Sequence, residues 1–250
     1  MTKLVRVAVS ELQAGCSRLD REASHYLVDV HRIVANVEFL VFDVEAATEA
    51  IATLLIADSR QASYRVECVQ ASTRIPDFRL IVIQAFGKGA KIDQVVRAAT
   101  ALNASEIWVV STSRSAIPSG KETLGRCERW RRIAVDAARQ SERGNVPSIG
   151  GVLGLREVLS SLTSFAGHCW VLSPRAVNNL GEKLASVSVG DTAILVGPEG
   201  GFDDAEMTLA SEAGFTAVRL GSRVLRTEIA TVAALGAIAA FWDMRAAKSD

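Results

Sequence analysis

The sequence predicts an α/β protein in two parts. A small β-barrel-like domain occupies residues 1–72, and a larger domain built on a largely parallel sheet occupies 73–250. Two observations carry this. Up to about residue 70, short β-forming segments follow one another with polar breaks between them. Beyond it, apolar strands alternate with helical patterns, which implies βαβ units.

The elements follow in order. VEFLVFD (37–43), AIATLLI (50–56) and YRVECVQ (64–70) read as strands. In the third, Tyr64, Val66 and Cys68 alternate with Arg65 and Glu67, the pattern of a half-buried antiparallel strand. ASTRIPDF (71–78) is a hinge. RLIVIQAF (79–86) is then a strand, KIDQVVRAATAL (91–102) a helix, EIWVVST (106–112) a strand, and a long helix surrounds RCERWRRIAVDAARQ (126–140). HCWVL, AILVG and TAVRL are strands, followed respectively by helices over RAVNNLGEKLA (175–185), DAEMTLASEAG (204–214) and EIATVAALGAIAAFW (228–242).

Composition bounds the function classes. With 49% hydrophobic and 22% charged residues, the chain reads as an ordinary globular protein. The longest nearly uncharged apolar run, 229–242, is short for a membrane span, and the N-terminus lacks a signal-peptide pattern. Cys16, Cys68, Cys127 and Cys169 have no CxxC spacing; they read as reduced, mostly buried thiols of a cytosolic protein. His25, His31 and His168 have no metal-ligand spacing, so no metal is expected. Residues 1–78 hold 8 basic and 11 acidic side chains, 79–143 hold 12 and 6, and 144–250 hold 8 and 11. The basic middle hints at an anionic partner.

In a parallel sheet, ligands bind at the carboxyl ends of the strands. In ILVGPEGGFDDAE the strand ends at Val196; Gly197, Gly200 and Gly201 admit close backbone approach, and Asp203 with Glu206 matches a capping box. The loop has no Gly-Lys-Ser/Thr, and Glu199 would repel a phosphate. It suits a cationic or neutral polar ligand, or is a glycine-rich turn with an exposed Glu. LGSRVLRTE repeats the device: Gly221 follows a strand, and Thr227 or Ser222 can cap the next helix. Two such loops on neighbouring strands suggest a shared pocket.

LVGPEGGF followed by LGSRVLRTEIA resembles the signature of bacterial 16S ribosomal RNA uridine N3-methyltransferases, members of the SPOUT class with a trefoil knot and a PUA-like N-terminal domain. HYLVDVHRI, GKGAKIDQVVRAATALNASEI, STSRS, ERWRRIAVDAARQSERGNVP and LSPRA fall in that family's order. The resemblance implies a cytoplasmic homodimer acting on 16S rRNA of the small ribosomal subunit, with S-adenosyl-L-methionine as cofactor. The cofactor would lie against the loops Leu172, Ser173, Pro174; Gly197, Pro198, Glu199, Gly200, Gly201; and Leu220, Gly221, Val224, Leu225. The helix over 229–242 is either a core helix or the dimer face.

Methylation at uracil N3 requires loss of a weakly acidic proton. Arg226 is the candidate to stabilise charge on the uracil oxygens, with Glu228 either the base or a partner of Arg226, and Arg114 near the base or a phosphate. Arg6, Arg32, Lys88, Lys91, Arg129, Arg132 and Arg143 are candidate RNA contacts. Cys127, Trp130, Ile133, Ala134 and Ala137 form a helical core face. Several positions depart from the family: Ala101 replaces an acid, Arg139 an acid, Glu142 a glycine and Ser173 a common His, and FDV at 42–44 lacks a glycine. Two alternatives stay open, a cofactor-binding assembly factor without turnover and a knotted enzyme acting on a ribose 2′-OH.

Overall fold

The computed structural model describes residues 4–43, 45–72, 75, 77–87, 90–115 and 120–246. They fall into two compact units, Met1–Ile75 with Val135–Val146, and Pro76–Ala134 with Pro147–Asp250.

In the first unit β1 (Arg6–Val9), β2 (Gly15–Arg18), β3 (Glu38–Asp43), β4 (Thr48–Ile56), β5 (Ser63–Val66) and β6 (Gln70–Ala71) form one sheet. Helix α1 (Arg21–His25) runs into a π-helical turn, Tyr26–Val30, and starts where Asp20 accepts the Ala23 amide at 2.8 Å. The path is β1-β3-β4-β5-β2, with β6 also on β4. The β-barrel-like domain expected here is a mixed sheet whose path is open, and β1 pairs parallel to β3 because β2 and α1 intervene between them. The strand expected over 64–70 is interrupted. Val66 faces Ala52 and Gln70 faces Glu49, so four steps on one strand oppose three on β4, a bulge that splits the ladder. Period-two burial holds up to Leu54: Ala50, Ala52 and Leu54 are buried with Phe39, Val41 and Tyr64 while Ile51 faces out, and a register shift after Leu54 turns Ile56 outward.

The second unit carries β7 (Leu80–Ala85), α2 (Lys91–Ala101), β8 (Glu106–Ser111), α3 (Gly120–Gln140), β9 (Ser148–Gly154), α4 (Leu155–Ser161), β10 (His168–Leu172), β11 (Asn178–Asn179), α5 (Leu180–Ser186), β12 (Thr192–Val196), α6 (Asp204–Glu212), β13 (Thr216–Arg219) and α7 (Thr227–Ala246). The last turns of α3, from Val135, are counted with the first unit. The sheet is parallel throughout, in the order β11-β13-β10-β12-β7-β8-β9. Every residue of central β7 and β12 is buried, as helices on both faces require. Ile81, Ile83 and Leu195 pack toward α4 and α6, whereas Gln84 meets α7.

Helix α5 starts later than expected, at Leu180. Asn178 and Asn179 instead pair with β13, and Asn179 accepts the Gly181 amide at 2.8 Å, capping the helix there. Cys16 and Cys68 are exposed, contrary to the buried thiols expected. Cys127 and Cys169 are partly buried, which raises both thiol pKa values, that of Cys169 to about 11. Helix α7 is longer than the apolar run within it, and by length and composition it is long and apolar enough to cross a membrane. Its Ala234, Leu235, Ile238 and Trp242 are buried in this unit, as in a core helix. Among the described residues no His/Cys/Asp/Glu group suits a metal.

Candidate active site

The three loops expected to hold a cofactor follow three adjacent strands, β12, β10 and β13. β10 lies between the two glycine-loop strands, which are therefore not direct neighbours. At the end of β10, Ser173 donates its amide to Val218 of β13 at 2.9 Å, carrying the ladder into Leu172, Ser173 and Pro174.

The loop after β12 is held from three sides. Thr227 at the start of α7 donates its hydroxyl to the Gly197 carbonyl at 2.6 Å. Arg114, in the turn after β8, donates to the Gly200 carbonyl at 2.5 Å, and Glu199 pairs with Lys91 at the start of α2. Gly201 has φ +68° and closes a turn to Pro198, so glycine is required there. A side chain at Gly197 would crowd the Phe202 ring, and one at Gly200 the Arg114 chain, each at 3.1 Å.

Helix α6 then begins with the expected capping box: Asp203 accepts from the Glu206 amide at 2.8 Å, and Glu206 accepts from the Asp203 amide at 3.0 Å. Glu206 also accepts the Ser113 amide at 2.7 Å, so the β8 turn is fastened twice. The Glu206 amide, chiefly, holds the Asp203 carboxyl below its ordinary pKa, with Ser113 and the Arg114 charge assisting.

Thr227 is the far end of a relay that the sequence did not reveal. Thr231 donates to Gln84 Oε1 at 2.6 Å; Gln84 Nε2 donates to Thr227 Oγ1 at 3.0 Å and to the Ala85 carbonyl at 3.2 Å. The one Thr227 proton goes to Gly197, which fixes the orientation of the Gln84 amide. The only sequence signal was a glutamine inside an otherwise apolar strand.

After β13, Gly221 takes φ +61°, and Val224 stands 80% exposed. Arg226 is exposed. Glu228 is only 7% exposed, and its Oε2 has no hydrogen-bond partner. Arg226 and Glu228 form no ion pair with each other, so the pairing reading of Glu228 is not met.

The candidate RNA contacts scatter. Arg32 (φ +55°) and Arg132 are exposed, and Arg129 is exposed but paired with Asp93. Lys91 faces Glu199, and Lys88 lies outside the described residues. Arg6 and Arg143 are inside, not on the surface. Arg6 lies 3.3 Å from Glu49 and 5.0 Å from the Phe42 ring and donates to the Arg143 carbonyl, and Arg143 bonds Asn145. Burial lowers the Arg143 pKa.

Residues 74–239, which carry this sheet and its glycine loops, match the RNA methyltransferase domain family. The chain belongs to that family of RNA methyltransferases. Among its relatives, ribosomal RNA small subunit methyltransferase E of Mycobacterium bovis is 32% identical over 172 residues, 66% of this chain and 65% of that protein. The Bacillus subtilis protein of the same name is 25% identical over 87% of both chains. The ribosomal RNA small subunit methyltransferase E of Neisseria gonorrhoeae, solved bound to S-adenosyl methionine, is 27% identical. It superposes with a TM-score of 0.84 over 96% of this chain and 98% of its own.

Proposed function

We propose that this chain transfers a methyl group from S-adenosyl-L-methionine to N3 of a uridine in 16S ribosomal RNA. The observation that carries the reading is the clamped glycine loop, Gly197 to Gly201. Three elements hold its backbone rigid beside the ends of β10 and β13, and the solved relative over this same fold binds that cofactor.

Leu172–Pro174, Gly197–Gly201 and Leu220–Leu225 would hold the cofactor through backbone groups. Bound there, it supplies an electrophilic methyl group on a sulfonium. Glu228 fits the chemistry of the acceptor. A buried carboxylate oxygen without a donor is costly, and the uracil N3 proton relieves that cost by moving to Oε2. Arg226 then faces the charge that develops on the uracil oxygens. Arg114 keeps the cofactor loop in place from the β8 side.

The finer readings rest on the same assignment. The first unit serves as the PUA-like RNA-binding domain, with Arg32 meeting RNA phosphates, and Lys91, Arg129 and Arg132 meet them from the second unit. The order β13-β10-β12, in which the chain passes from β12 across β10 to β13, supports a trefoil thread. Ile229, Val232 and Met244 leave an apolar stripe on α7 that favours a homodimer. The site of action is the cytoplasm, where the subunit is assembled.

The test incubates purified protein with labelled cofactor and small subunits from cells lacking the gene, then digests the RNA for nucleoside mass spectrometry. Appearance of 3-methyluridine is expected. Cofactor binding without methyl transfer would leave only the assembly-factor role, and a ribose-methylated product would move the reaction to the 2′-OH.

A further inference from the structure

A cavity of about 430 Å³ lies between the start of α2 and the middle of α3, outside the loops assigned to the cofactor. Ala90, Ile92 and Asp93 line one side, and Gly125, Arg126, Arg129 and Trp130 the other. Its chemistry is planar and amphipathic. Trp130 is buried there, and Arg126 sets its guanidinium 5.4 Å over the ring of Phe86, at the end of β7. Arg129 and Asp93 neutralise each other across the opening. The cavity also adjoins the cofactor loop, since Lys91, between two lining residues, pairs with Glu199.

We propose that this cavity receives one unstacked base of the RNA, laid flat against the Arg126 guanidinium. The inference rests on the RNA methyltransferase reading above and names what that site takes beyond the cofactor. Three points favour a base over a phosphate. A guanidinium backed by an aromatic ring is a stacking platform, and single-stranded RNA is recognised by stacking on such planes. The Arg129–Asp93 pair offers a phosphate no net positive charge at the opening, while the Asp93 carboxylate can still accept from a base N–H. The volume falls in the range of small-ligand pockets, large enough for a nucleobase.

The test measures binding of a short single-stranded oligouridylate and of small subunits, with S-adenosylmethionine affinity recorded for every variant. Arg126→Ala is expected to weaken RNA binding about tenfold or more, the scale of one lost base stack. Arg126→Lys keeps the charge but loses the plane, and is expected to weaken it similarly with an unchanged salt slope. A second variant guards against misfolding. Gly125 lines the cavity and a Cβ on it meets nothing within 4 Å, so Gly125→Leu adds bulk at the cavity wall while improving helix propensity. It is expected to raise the thermal midpoint and still abolish the stacking contribution. Full rescue by Arg126→Lys would make the contact a phosphate contact and overturn the proposal. So would unaltered RNA binding in Gly125→Leu. Failure of the unsubstituted chain to bind the cofactor would overturn the function instead.

Discussion

Thr227 has one hydroxyl proton and spends it on the Gly197 carbonyl, while accepting from Gln84. Thr227→Val removes both bonds without changing shape and leaves one Gln84 N–H and the Gly197 carbonyl without these partners. It should cost about 1–3 kcal/mol in urea unfolding, and Thr227→Ser should restore most of it. Glu228 is different, because its Oε2 has no bond to lose. Glu228→Gln should leave folding and cofactor affinity nearly unchanged and cut the methyl-transfer rate by roughly 10²–10⁴-fold, in single-turnover assays. A rate within a few-fold of the unsubstituted chain would remove Glu228 from the proton path.

At the level of elements, one departure from the family pattern, Glu142 in place of a glycine, acquires a structural account. Asn103 follows α2 at φ +66°, and Glu142 follows α3 at φ +60°, where Arg143 donates its amide to Ala138. Both are left-handed helix ends of the kind that favour glycine. Asn tolerates that conformation and Glu does so less readily. Glu142→Gly should therefore stabilise the chain by up to about 1 kcal/mol in denaturant titration. Asp203 belongs to this scale too. Its carboxyl is held below 3.8 by the Glu206 amide, so its contribution is complete above the unfolded value and fades as pH falls through the lower folded one. Asp203→Asn should flatten the loss of stability below about pH 4, measured as urea midpoint against pH. The elements legible from sequence were those with an apolar period or run. β7 and β12 are apolar but for Gln84 and Thr192, and α6 carries its own start signal in the Asp203 capping box. β9, SIGGVLG, has no such period; Gly150 sits there because a Cβ would come 3.0 Å from the Trp108 ring.

Across the whole molecule, the glycine loops were legible because backbone conformation writes itself into glycine positions. Their supports were not. Gln84 meets Thr227 and Thr231 across separations of 143 and 147 residues, and no local pattern encodes such a meeting. Burial likewise withdrew Arg6 and Arg143 from the surface, which net charge could not foretell. The apolar stripe on α7 gives a prediction at this scale. Ile229 is 50% exposed, and Ile229→Asp should convert a dimer to monomer in sedimentation velocity while leaving the monomer folded. A monomeric parent chain would end that reading.

The bond between Thr227 and Gly197 also sets an order of events during synthesis. Strand β12 and its loop leave the ribosome some 30 residues before the residue that fastens them. Until the start of α7 emerges, the loop has no partner for its first carbonyl. The loop after β12 therefore reaches its final, fastened form only once the start of α7 has been synthesised.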